Sequence, residues 1–135
     1  MKGKENLKIF VIDDDDTSRF LTTRMLELVR NQQEFICHEF KSALCALDFL
    51  SNRQNIWPDV ILLDINMPLM SGWEFIDRVL DQWDLFTKTK LYMLSSSNHL
   101  LDFEQGLARK EVKRMFGKPL QLEDAYLILN SEYSE

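Results

Sequence analysis

The chain has 135 residues, enough for one domain with a sizeable core, and its 45% hydrophobic and 28% charged residues are ordinary for a globular protein. A net charge of −6 argues against a nucleic-acid footprint, which needs a clustered basic face. Two cysteines, Cys37 and Cys45, cannot build a disulfide framework, and no apolar run approaches the roughly 18 residues that would span a membrane, so the chain is expected to be cytoplasmic.

Leu7 to Ile12 is a short apolar run with β-branched residues and reads as a buried strand, which Asp13 to Asp16 stop. Asp15 to Thr17 offer helix N-caps, and Phe20, Leu21, Met25, Leu26, Leu28 and Val29 follow with a helical rhythm. Glu34 to Phe40 is a second strand. From Ser42 the apolar residues Ala43, Leu44, Ala46, Leu47, Phe49 and Leu50 again recur at helical spacing. Cys37 and Cys45 in these elements read as small core hydrophobes in a reducing compartment.

Asp59 to Leu63 reads as a strand buried on both faces, running straight into Asp64. Met67-Pro68 forbids continuation of the ladder, since proline has no N–H to donate. Ser71 and Glu74 form a capping box for a helix with Trp73, Ile76, Leu80 and Trp83 on one side. Lys90 to Leu94 is a fourth strand ending in Ser95-Ser96-Ser97, and Asn98 to Ala108 is a weaker helix. Val112 to Phe116 is a short fifth strand before Gly117-Lys118-Pro119, and Leu120 to Leu129 is a closing helix. Gly3 to Asn6 and Ser131 to Glu135 read as frayed ends.

Strands alternating with helices over short connections imply right-handed βαβ crossovers and a parallel sheet covered on both faces. Asp13, Asp14, Asp64, Ser95 and Lys118 each stand at a strand end, so one edge of that sheet would gather them all. Taken singly each has a plain reading. Asp13 and Asp14 could be solvated N-cap carboxylates, Ser95 a turn residue, and Lys118 a charge before a turn. Together, three carboxylates repel one another unless a cation intervenes, and hard oxygen donors suit Mg2+ with phosphate oxygens. A phosphoryl group on Asp64 would be matched by that metal, Lys118 and Ser95, with Asp64 as a carboxylate nucleophile.

Over roughly Leu7 to Leu129 the chain resembles the receiver domains of two-component response regulators. The residues that carry the resemblance are Lys8 to Asp15, Pro58 to Pro68 with Gly72, Met93-Leu94-Ser95-Ser96 and Lys118-Pro119. It implies an α/β, doubly wound, flavodoxin-like (βα)5 fold with a parallel sheet of order 2-1-3-4-5. It further implies that Asp64 accepts phosphoryl from a histidine of a sensor kinase or a histidine phosphotransfer protein. Asp14 would ligate Mg2+ (or Mn2+) directly, Asp13 through water, and Asn66 through its main-chain carbonyl. Ser95 would move toward the phosphoryl oxygen, Lys118 would pair with it, and Ser96 would leave room for it. Asn66 and Ser97 would tune how fast water attacks. Met115 stands where the family often has Tyr or Phe, so a ring flip is not available to this chain.

No segment beyond Leu129 is long enough for an output domain, so residues 1–135 are expected to be one receiver that binds another protein or passes phosphoryl onward. Its contact surface would join the helix at Asn98 to Ala108, the fifth strand and the closing helix, with Leu100, Leu101, Phe103 and Tyr126 as candidates. A haloacid-dehalogenase-like phosphohydrolase would need a carboxylate two residues after its nucleophile, where Asn66 stands. Gly117-Lys118-Pro119 lacks the glycine-rich lead of a P-loop. A receiver acting without phosphorylation has no support, since all the expected residues are present. His38 and His99 read as ordinary histidines.

Overall fold

The computed structural model describes residues 6–30, 33–52, 57–96, 104–106 and 108–130. Five parallel strands form one sheet: β1 (Asn6–Ile12), β2 (Glu34–Phe40), β3 (Val60–Asp64), β4 (Lys90–Ser95) and β5 (Val112–Gly117). Their order is β2-β1-β3-β4-β5, the doubly wound flavodoxin-like arrangement expected. Helices α1 (Asp16–Leu28), α2 (Ala43–Ser51), α3 (Gly72–Gln82) and a closing helix (Leu122–Asn130) connect and cover the strands. Residues 104–106 and 108, between β4 and β5, are helical as well.

The two-residue period of the strands sorts the core into two layers. Leu7, Ile9 and Val11 of β1, with Val60 and Leu62 of β3, face Leu26 of α1 and Ala125, Ile128 and Leu129 of the closing helix. Phe10, Ile12, Ile61 and Leu63 face the other way, onto Ala46 and Leu50 of α2 and Phe75, Ile76 and Val79 of α3. Every residue of β3 is buried, which explains its continuous apolar run. Each such side chain removed from water contributes about 1.5–3 kcal/mol, so the central strands are the best anchored part of the fold.

Several expectations change on the helices. Phe20, Leu21 and Leu28 are exposed, while Thr22 and Leu26 carry the buried face of α1. One turn separates these two, and Met25 and Val29, partly buried, pack beside them against the same core layer. Leu80 is exposed, and Trp73 and Trp83 are only partly buried, because Phe75, Ile76 and Val79 face the core. Cys45 lies on the exposed side of α2, not in the core. Cys37 is partly covered on edge strand β2, and its thiol is pushed up to about 12 by burial, aided by the charge of Glu39. Asn6 is not frayed but opens β1, opposite Glu34. The closing helix starts at Leu122 rather than Leu120, whose side chain is buried in the turn before it. A 3-10 turn at Leu85–Thr87 leads from α3 toward β4. His38 packs edge-on to Phe10, with ring centroids 5.8 Å apart. His99, the proposed frayed residues 3–5 and 131–135, and much of the helix expected at Asn98 to Ala108 lie outside the described residues.

The Ser71 hydroxyl accepts the Glu74 N–H at 3.2 Å and the Glu74 carboxylate accepts the Ser71 N–H at 2.9 Å, so the capping box is complete. It starts α3 directly against β3, where the Gly72 N–H donates to the Ile65 carbonyl at 2.8 Å. A Cβ at Gly72 would stand 2.6 Å from the Asp64 carbonyl oxygen, a backbone atom that cannot yield cheaply. A Cβ at Gly117 would meet nothing within 4 Å. Gly72→Ala is therefore expected to cost about 2 kcal/mol of stability, read as a fall in thermal midpoint, whereas Gly117→Ala should melt near the wild type. Equal midpoints for both variants would contradict the close-approach argument.

Candidate functional site

The order of strands reverses between β1 and β3, and the crevice outside their carboxyl ends is where open α/β sheets bind ligands. The two strands deliver Asp13 and Asp64 there, both buried, while exposed Asp14 follows Asp13. One carboxylate oxygen from each of Asp13, Asp14 and Asp64 lies within 4.8 Å of the others. Asp14, Asp64, Asn66, Ser96 and Lys118 line a cavity of about 440 Å³ at this edge, closed on one side by Ser18 and Leu21 of α1.

Lys118, just past β5, reaches across the ends of β4 and β3. Its ammonium donates to Asp13 Oδ2 at 2.8 Å and to Asp64 Oδ1 at 3.1 Å. The Lys118 N–H also donates to the Ser95 carbonyl at 2.8 Å, fixing the loop after β5 against the end of β4. The Lys118-Pro119 peptide is cis. Ser95 itself is buried at the end of β4, and Ser96 is exposed on the cavity rim. Ser97 lies outside the described residues. Asn66 is exposed in the loop after β3, and Leu69 at the tip of that loop holds φ 71, a left-handed backbone that costs a bulky residue energy.

Met115 is partly buried against the core layer of α2 and α3, and a Cβ added at Gly106 would collide with its sulfur. Methionine thus fills the space between β5 and the helical residues 104–106. Of the partner-face candidates, Tyr126 is exposed, and Leu100, Leu101 and Phe103 lie outside the described residues.

Two residues that hold the site, Ser18 and Arg19, lie outside the set expected from the sequence. The Ser18 hydroxyl donates to Asp13 Oδ2 at 2.6 Å, and the Arg19 guanidinium donates to the Asp13 carbonyl at 2.7 Å. Arg19 also pairs with Asp16 and, at 3.3 Å, with Glu39. Asp15 accepts the Ser18 N–H at 2.9 Å as the N-cap of α1, and its own N–H donates to Asp13 Oδ1 at 3.0 Å. The first turn of α1 therefore grips Asp13 at three points. A polar i, i+5 and i, i+6 pairing after a strand-end carboxylate was the available clue.

The electrostatics are unbalanced. Burial first, then the neighbouring charge of Asp13, push the Asp64 carboxyl up to about 7, with Lys118 only partly opposing them. Burial works against the Lys118 charge, yet the hydrogen bond to Asp13 and the charges of both carboxylates outweigh it and raise its pKa. One ammonium faces three carboxylates, and hard oxygen donors in this number fit a divalent cation such as Mg2+.

The sequence model of the response regulator receiver domain matches residues 9–130. A two-component response regulator from Cytophaga hutchinsonii superposes with TM-score 0.87 at 28% identity, covering 98% of this chain and all of that one (100%). One from Legionella pneumophila superposes with TM-score 0.73 at 28% identity, covering 93% and 98%. Protein PilG of Pseudomonas aeruginosa is 29% identical over 102 residues, 76% of this chain and 70% of that protein. A protein-glutamate methylesterase/protein-glutamine glutaminase of Burkholderia thailandensis is 32% identical over 74 residues, which is 55% of this chain. The chain spans about a fifth of that relative (19%) and of the similar methylesterases, so the activities in their names belong to them.

The raised Asp64 pKa has a consequence for stability. Between about pH 4 and 7 the folded protein holds a proton on Asp64 that the unfolded chain has released, so this group's contribution to stability falls as pH rises through that window. In metal-free buffer Asp64→Asn should melt close to the wild type near pH 4 and increasingly above it toward pH 7.5. A midpoint difference that does not grow with pH would show that Asp64 is not strained by its neighbours.

Proposed function

The chain belongs to the response regulator receiver domain family, and on that premise we propose that it accepts a phosphoryl group on Asp64. The observation that carries this reading is the Lys118 ammonium spanning Asp13 and Asp64 beside a third carboxylate, at the sheet's switch point. In the proposed reaction an Asp64 oxygen bonds to phosphorus as the N–P bond of a phosphohistidine breaks, and the imidazole nitrogen keeps the electron pair. Lys118 holds Asp64 in place before transfer and offers its N–H groups to the phosphoryl oxygens afterwards. Ser95, at the end of β4, is the hydroxyl placed to follow the new group, and small Ser96 leaves it room.

Mg2+ or Mn2+ would be held by Asp14 and Asp64, by the Asn66 carbonyl and, through water, by Asp13, and when bound would offset charge on the phosphoryl oxygens. Asn66 offers an amide where a phosphohydrolase of the haloacid-dehalogenase type needs an acid, which favours a switch over a turnover enzyme. Residues 1–135 would act as a cytoplasmic receiver domain. It would take phosphoryl from a sensor histidine kinase or histidine phosphotransfer protein and act on a downstream protein, with no direct nucleic-acid or membrane partner. Met115, seated against Gly106, takes the place of a flipping ring in any rearrangement of β5.

Purified protein given Mg2+ and acetyl phosphate should gain one base-labile phosphoryl group, and Asp64→Ala should gain none. Labelling of Asp64→Ala at the wild-type level would overturn the assignment.

A further inference from the structure

We infer that Ser18 is a positioning residue for the cation of this site, acting through Asp13. The inference rests on the cation reading above and concerns a residue outside the family-derived ligand set.

The first observation is where the hydroxyl goes. A serine at the N-cap of a helix satisfies an orphan N–H of the first turn with its side-chain oxygen. Here Asp15 performs that task by accepting the Ser18 N–H. The Ser18 hydroxyl is turned back instead to Asp13 Oδ2 at 2.6 Å, the short distance of an O–H donating to a carboxylate.

The second observation is the saturation of Asp13. An ionised carboxylate offers about four acceptor positions. Oδ1 accepts the Asp15 N–H at 3.0 Å, and Oδ2 accepts both Ser18 at 2.6 Å and Lys118 at 2.8 Å. The buried carboxylate is thus oriented from α1 on one side and from the β5 end on the other. Its remaining acceptor position is on Oδ1.

Ser18 and Lys118 share one oxygen, which gives the hydroxyl a second effect. Without it, Oδ2 is held by Lys118 alone, and the ammonium that also serves Asp64 at 3.1 Å is drawn toward Asp13. The cation site then loses both a fixed Asp13 and part of the charge balance on Asp64. Partners that orient metal ligands in this way typically account for 10–100-fold in metal affinity.

The test is calorimetric titration of the protein, residues 1–135, with MgCl2 and no phosphodonor present. Ser18→Val and Ser18→Thr have nearly the same shape and differ in the hydroxyl. Ser18→Val and Ser18→Ala should bind Mg2+ about tenfold more weakly than the wild type, and Ser18→Thr within about twofold of it. Metal-free thermal melts accompany each titration. A packing role alone would move the melts and would not separate threonine from valine. Wild-type affinity in both Ser18→Val and Ser18→Ala would overturn the inference while leaving the cation reading intact. Absence of saturable Mg2+ binding by the wild-type protein would overturn that reading and the inference with it.

Discussion

The structure depends on one ammonium. Lys118 bridges Asp13 at 2.8 Å and Asp64 at 3.1 Å, joining the ends of β1 and β3 to the loop after β5. With both side chains buried or nearly so, water cannot screen the repulsion between these carboxylates. Lys118 offsets part of it and no more, since Asp64 still sits near pH 7. The imbalance is chemically useful. A site that holds too much negative charge in its resting form gains by taking up a divalent cation, and under the proposed function the same ammonium would face the dianionic phosphoryl group.

The fold makes this arrangement affordable to the chain. Two apolar layers grip β1 and β3 from both faces, so the strand ends cannot retreat from each other to relieve the repulsion. The complete capping box of α3 and the close seat of Gly72 hold the loop after β3, and the first turn of α1 holds the loop after β1. Electrostatic strain therefore collects in the carboxyl cluster, and backbone strain in the left-handed Leu69 of the loop after β3.

Much of this was legible in the sequence, and for physical reasons. The run Val60 to Leu63, short and followed by Met67-Pro68, reads as a doubly buried strand, and acidic residues directly after two such strands must share an edge once the sheet is parallel. The capping box at Ser71 and Glu74 was readable because it is a local pattern. What could not be read were choices made by tertiary packing. Helical spacing alone did not tell that Thr22 and Leu26, rather than Phe20 and Leu28, face the sheet. Nor did it place Cys45 outward. The grip of Ser18 and Arg19 on Asp13 depends on side-chain direction in the first turn of α1, which follows from how that helix leaves the sheet.

The central claim is that Asp64, and no other carboxylate of the cluster, becomes the acyl phosphate. Borohydride reduction converts an aspartyl phosphate to homoserine, so the phosphorylated protein can be reduced, digested and read residue by residue. Homoserine at position 64 alone is the expected result. Homoserine at position 13 or 14, or none anywhere in a protein that has taken up phosphoryl, would contradict it.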